Sequence, residues 1–186
     1  MAKEIVKPVS KKKKGVIKEK PVEEEPKKRK PLRDPLFVGM DPSFNGFAII
    51  ILDQDANIIE QKLITSNPKD DIEDRLMHLE AEYSFIPNIA GLHSVNLEGP
   101  AFLANGQFAL QMGALHFMIR LMLKRTGVSF NIIAPGTLKK FVTGKGNAKK
   151  DLILLKVYKK WGVEFENDNL ADAYGLARMA LEEYKK

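Results

Sequence analysis

The sequence predicts an α/β layer fold with a mixed sheet, in which a three-strand antiparallel meander precedes parallel strands that alternate with helices. Three observations carry this. Three short apolar runs lie between residues 36 and 65, each separated from the next by turn-forming residues. From residue 69 onward the apolar spacing turns helical, and two further short runs, 94–97 and 128–134, interrupt the helices.

Leu36-Phe37-Val38-Gly39-Met40 is the first strand; Asp41 ends it, and Pro42, Ser43, Asn45 and Gly46 make a turn. Phe47 to Leu52 is the second strand, Asp53 to Asn57 turn again, and Ile58 to Thr65 is the third. Such tight connections pair strands antiparallel. Residues 69–86 place Ile72, Leu76, Leu79 and Tyr83 on one helical face. Ser94 to Leu97 is a brief strand that delivers Glu98 into Gly99-Pro100. Residues 103–125 form a long helix with apolar residues round most of its circumference, so burial is expected on more than one side, part of it against a second copy of the chain. Val128 to Ala134 is a strand, and Pro135 begins a helical turn. A loop over 142–147 and helices over about 148–161 and 169–185 complete the chain.

Composition removes several function classes. The 186 residues suit one folded domain, and 44% hydrophobic residues suffice for its core. With no cysteine there is no disulfide scaffold, zinc ribbon or thiol catalysis. Three histidines (His78, His93 and His116) make a His-rich metal site improbable and read as core or surface residues. No run approaches the ~18 apolar residues of a membrane span. The basic start lacks the apolar stretch of a secretory signal. The expectation is a soluble, cytoplasmic protein with no membrane partner and no small-molecule cofactor.

Charge is unevenly spread. Residues 1–35 hold 13 Lys/Arg against 6 Asp/Glu, while the remaining 151 hold 17 against 18. The formal +6 therefore belongs to the tail, which has few apolar residues to bury and is expected to be disordered. It reads either as a solubilising extension or as an arm attracted to phosphates. Residues 36–186 form the folded domain.

Three carboxylates stand at element ends. Asp41 follows the first strand, Glu98 the fourth, and Asp172 lies near the start of the last helix, with Asp168 four residues and Asn169 three residues before it. Hard oxygen ligands suit Mg²⁺ or Mn²⁺ rather than zinc, and two such ions clamp both reacting oxygens of a phosphodiester displacement. Asp41 also fits a turn residue and Asp168 a helix N-cap. Asp172, inside Leu170-Ala171-Asp172-Ala173-Tyr174-Gly175, needs a cation or charged partner. Spacing alone leaves both readings open.

At this point the residues resemble a family, the RuvC-like Holliday junction resolvases, especially the bacteriophage-encoded kind. The likeness spans about Phe37 to Leu181. Gly39-Met40-Asp41-Pro42-Ser43 resembles the first-strand motif, Leu97-Glu98-Gly99-Pro100 the fourth-strand glutamate, Val142 to Lys150 the basic glycine loop, and Ala171-Asp172-Ala173 the closing aspartate. The resemblance implies a ribonuclease H-like fold, a homodimer, and metal-dependent paired nicking of four-way DNA junctions in a bacterial host cell. It implies Asp41, Glu98, Asp168 and Asp172 as ligands of two Mg²⁺ ions, with Mn²⁺ as substitute. Many members carry an acidic or histidine residue three before the closing aspartate; here that residue is Asn169, and Asp168 is taken to fill the role.

By the same resemblance Lys139 and Lys150 approach the scissile phosphate, Lys150 as a catalytic group. Lys140, Lys145 and Lys149 complete a DNA-binding set that otherwise reads as solvated loop and helix start. Phe102 is placed to stack on a base at the branch point or to pack in the core. Gly144 and Gly146 let backbone approach a phosphate, but neither a complete GxGxxG nor a P-loop is present. The alternatives are another ribonuclease H-like nuclease acting on flaps, forks or RNA–DNA hybrids, and a non-catalytic branched-DNA-binding module. An actin-like ATPase would need a second domain.

Overall fold

Alternating side chains on β1 and β2 send every second residue to opposite faces of one sheet, and both faces are covered. The computed structural model describes residues 34–100 and 106–186. The basic tail through residue 33 and the segment 101–105, with Phe102, lie outside the described residues. The strands are β1 (Leu36–Asp41), β2 (Phe47–Leu52), β3 (Ile58–Ile64), β4 (Leu92–Glu98) and β5 (Phe130–Ile133). The helices are α1 (Ile72–Tyr83), α2 (Gly106–Arg125), α3 (Pro135–Thr143), α4 (Lys150–Trp161) and α5 (Asp168–Tyr184). The sheet order is β3-β2-β1-β4-β5; β1–β2 and β2–β3 pair antiparallel, while β4 runs parallel to β1 and β5 parallel to β4. The expected meander and mixed sheet are therefore present.

On one face Val38, Met40, Phe47, Ile49, Ile51, Val95 and Leu97 pack with Leu79 and Tyr83 of α1 and Leu115, Ile119 and Leu123 of α2. On the other, Ala48, Ile50 and Leu52 pack with Leu138 and Val142 of α3, Ile153 and Val157 of α4, and the alanines of α5. Helix α5 lies flat on the centre of the sheet, and Gly39 is the reason. A Cβ there would stand 1.9 Å from the Ala173 carbonyl oxygen and 2.5 Å from the Ala177 nitrogen, so only glycine admits this approach.

Several boundaries differ from the sequence reading, each for a local reason. Helix α1 starts at Ile72 rather than 69, because the Asp71 side chain accepts from the Asp74 amide as N-cap, and it ends before a separate 3₁₀ turn, Ile86–Asn88, that contains Pro87. Helix α3 runs through Thr143 and stops at Gly144, whose φ of 83° closes it. The expected loop is correspondingly shorter. Helix α5 is capped by Asn167, which accepts from the amides of Asn169 and Leu170. Asp168 is thus not the cap but the first helical residue, and its side chain is free for another use. Helix α2 buries one line, Leu115, His116, Ile119 and Leu123, within the chain. Its other apolar side is exposed: Leu110 is 74% and Phe117 59% accessible. Among the described residues, the burial expected on a second side is not provided.

Candidate active site

Strand parity and parallel pairing bring the acids together. Asp41 lies two residues beyond Gly39 and so points to the α5 face; Glu98 lies two beyond Asn96, whose Nδ2 donates to the Leu176 carbonyl of α5 at 3.1 Å. Because β1 and β4 are parallel with Met40 opposite Leu97, Asp41 and Glu98 end neighbouring strands at the same rim. Helix α5 crosses above that rim with Asp168 and Asp172, four residues apart, on one helical face. The Asp41 and Glu98 carboxyls are hydrogen bonded to each other.

Burial sets the electrostatics. It pushes the Asp41 carboxyl well above the ordinary carboxylate range, and the Glu98 charge adds to the effect. Glu98 is raised by the same desolvation, and its hydrogen bond to Asp41 opposes the rise. Asp172 is pushed up to about 7 by burial, with Asp41 and Asp168 as the charges that assist. Two lysines work the other way. Lys150 forms an ion pair with Asp168, which raises its own pKa, and its charge lowers Asp41, Glu98 and Asp172. Lys139 of α3 lowers Glu98 and Asp172.

Among the sequence-predicted residues the structure therefore gathers Asp41, Glu98, Asp168, Asp172, Lys139 and Lys150. Lys140 near the end of α3, Lys145 in the following loop and Lys149 at the N-cap of α4 are exposed around them. Lysines at a helix start oppose the helix dipole, an arrangement that makes sense beside an anion. Sequence reasoning missed Gly39, Asn96 and the amide of Asn169. An isolated glycine in an apolar strand and an asparagine between Val95 and Leu97 were the available signals.

The donor set fits a hard divalent cation. Asp172 Oδ1 is buried with no hydrogen-bond partner among the described residues, and four carboxylates at one rim are mutually repulsive unless protonated or neutralised. In the arrangement observed, no three acidic or histidine side chains among the described residues already surround one point at ligating distance, since Asp168 is turned to Lys150 and Asp41 to Glu98.

A mixed five-stranded sheet with acids at the ends of two neighbouring parallel strands and on the crossing helix defines a ribonuclease H-like nuclease. The family model described as "Crossover junction endodeoxyribonuclease RuvC" matches residues 37–179. The chain belongs to the RuvC family, and its activity is that of a crossover junction endodeoxyribonuclease, a metal-dependent nuclease. It is 26% identical over 143 residues to the RuvC of Ehrlichia canis, covering 75% of this chain and 92% of that protein. It is 29% identical over 150 residues to the RuvC of Chlamydia muridarum, covering 76% and 88%. Among solved structures it is similar to T. thermophilus RuvC in complex with Holliday junction substrate, with a TM-score of 0.67, 19% identity, and coverage of 77% of this chain and 90% of that one. A yeast mitochondrial Holliday junction resolvase gives 0.52 at 12% identity, covering 80% of each chain. The two curated relatives are bacterial, so the expected bacteriophage subtype finds no support in them.

Proposed function

We propose that this chain resolves four-way DNA junctions by paired nicks, as a homodimer, with Asp41, Glu98, Asp168 and Asp172 holding two Mg²⁺ ions for which Mn²⁺ can substitute. The observation that supports this best is the gathering of four carboxylates from β1, β4 and α5 at one rim of the sheet, beside a buried oxygen of Asp172 that has no hydrogen-bond partner among the described residues. When bound, the cations supply charge stabilisation at the attacking and leaving oxygens of the phosphodiester. Asp41 and Asp172 must give up their protons to serve as ligands, which the Lys150 and Lys139 charges favour. Lys150 is held at the rim by Asp168 and is free to turn its ammonium toward the scissile phosphate once that carboxylate is engaged elsewhere. Lys139, Lys140, Lys145 and Lys149 hold the flanking phosphates, and Phe102 stacks on a base at the branch point.

The exposed apolar side of α2, with Leu110, Phe117 and Leu121, is the surface for isologous pairing. The tail of residues 1–35, with its excess of lysine and arginine, is a basic arm that grips duplex phosphates without reading sequence. A chain of this kind works in the cytoplasm. Among the described residues no helix is long and apolar enough to cross a membrane.

The test is a synthetic four-way junction, a flap and a linear duplex, each incubated with the full chain and Mg²⁺, Mn²⁺ or EDTA. The expected result is symmetric nicking of the junction with either metal and none in EDTA. Asp41→Asn, Glu98→Gln and Asp172→Asn should each lower the nicking rate by roughly a thousandfold or more, equivalent to about 4 kcal/mol, while junction binding survives. Wild-type rates in any of the three would remove that residue from the site. Preferential flap cleavage would replace the junction substrate.

A further inference from the structure

Asn169 occupies the position three residues before Asp172, yet its amide is already engaged. Its Nδ2 donates to the Gly46 carbonyl oxygen at 2.9 Å, joining the first turn of α5 to the turn between β1 and β2. Gly46 is shaped for this contact, because a Cβ there would stand 2.5 Å from Asn169 Nδ2. The turn that Gly46 closes begins at Asp41, and it is fixed from within by the Gly46 amide donating to Ser43 Oγ at 3.0 Å. From the opposite side Arg75 of α1 holds it. Arg75 Nη2 donates to Asn45 Oδ1 at 2.8 Å, Arg75 Nε donates to Ser66 Oγ at 2.9 Å, and the Ser66 hydroxyl donates to the Phe44 carbonyl at 2.6 Å. The guanidinium also lies over the Phe44 ring, 4.8 Å from its centre. The turn after Asp41 is thus clamped between α1 and the start of α5.

Geometry separates Asn169 from the two acids beside it. Successive helical residues are about 100° apart, so Asp168 and Asp172 share one face of α5 while Asn169 points to the side, where the turn lies. The α5 backbone at this point is itself set by Asn167, which accepts from the Asn169 and Leu170 amides. We infer that Asn169 is a positioning residue, a latch that fixes the β1–β2 turn, and with it Asp41, against the helix start that carries Asp168 and Asp172. It is not the fourth metal ligand. This rests on the four-carboxylate reading of the site, and it assigns the work of aligning two ligand-bearing elements to one side-chain amide and one bare glycine.

The experiment measures Mn²⁺ binding to the full chain by the electron paramagnetic resonance signal of free Mn²⁺. Junction binding in EDTA, the metal-free melting temperature and the metal dependence of nicking are followed alongside. Asn169→Ala should weaken Mn²⁺ binding about tenfold, in the range for residues that orient ligands. Junction binding in EDTA should be unchanged, and excess Mn²⁺ should restore most of the nicking rate. Gly46→Ala, which displaces the amide without touching an acid, should give the same split. Asn169→Asp sets a carboxylate oxygen against the Gly46 carbonyl and should also weaken binding, as should the exchange Asp168→Asn with Asn169→Asp.

Three results would overturn the inference. Mn²⁺ affinity retained or improved in Asn169→Asp or in the exchange variant would make position 169 a ligand. Wild-type affinity in both Asn169→Ala and Gly46→Ala would leave the contact without a role, and a lowered melting temperature with unchanged affinity would make it merely structural. Failure of the underlying reading looks different, because Asp41→Asn and Asp172→Asn would then bind Mn²⁺ as the wild type does.

Discussion

The two faces of the sheet are built from the same strands and obey opposite rules. Toward α1 and α2, Val38, Met40, Phe47, Ile49, Ile51, Val95 and Leu97 meet Tyr83, Leu79 and Leu115 in a bulky apolar layer where volume decides packing. Toward α5, one residue further along β1 and β4, stand Gly39, Asp41, Asn96 and Glu98 under a helix of alanines. Small residues let α5 come close, and that closeness drives the carboxylates together. Asp41 and Glu98 are each next in sequence to a fully buried apolar residue, Met40 and Leu97. A period of two along the strands suffices to build a dry core and a charged site back to back.

The sharpest way to break this contrast is to exchange volume on β1. Gly39→Val forces α5 off the sheet through the contact with the Ala173 carbonyl, and should cost about 3 kcal/mol. By calorimetry the melting temperature should fall on the order of 8 °C. Met40→Leu, one residue away on the other face, should cost under about 1.5 kcal/mol. Equal losses would mean that the close approach of α5 is not the controlling constraint.

Titration should mark the α5 face. Burial raises Asp172 to about 7 in the fold, against 3.8 for the free side chain, and raises Asp41 and Glu98 as well. Groups so shifted stabilise the fold while protonated, and that stability is lost as pH rises through the folded value. Asp172 alone accounts for on the order of 3 kcal/mol. In EDTA the melting temperature should therefore be higher near pH 5 than near pH 8, and Asp172→Asn should flatten the trend. Added Mn²⁺ should raise stability most at the alkaline end, where the ligands are ionised. A metal-free melting temperature that climbs steadily from pH 5 to pH 8 would contradict the burial of these acids.

The α1–α2 layer makes its own prediction on its outward side. Phe117→Glu on α2 removes an exposed ring that lies under Arg120, so the fold should change by less than about 0.5 kcal/mol. Sedimentation at micromolar concentration should nonetheless shift from dimer toward monomer. A wild-type chain that sediments only as monomer would end the pairing proposal.

The smallest effect lies outside both faces. Deleting residues 1–34 removes a net charge of +7. Affinity for junction and for duplex should fall together, and the slope of log affinity against log salt should become shallower. Loss of junction preference alone would make the arm a reader of branch geometry.

Much of this molecule is legible in the sequence because local rules dominate it. The period of two in Phe37 to Met40 and Phe47 to Leu52, the Asp53–Asn57 turn and the apolar spacing of Ile72, Leu76, Leu79 and Tyr83 report elements that close-range sterics and burial fix directly. Of the acids only Asp172 is marked by local physics, since a carboxylate inside an apolar stretch is costly without a partner; Asp41 and Glu98 are singled out with it by the resemblance of their motifs to the family's. The finer boundaries were not legible. Whether Asp71 or Asn167 caps a helix depends on which of several adjacent polar side chains the backbone direction favours.

Tertiary structure alone decided the rest. Asp168 and Asn169 are neighbours of similar size and polarity, and nothing in their order says that one meets Lys150 while the other meets Gly46, 123 residues away. That choice follows from the rotation of α5 on the sheet, which Gly39 and Asn96 set through contacts far apart along the chain. Residue types and their periodicity determined which elements form and which face each one buries. The meeting of distant side chains depended on how closely those elements pack, a distance that only the folded chain sets.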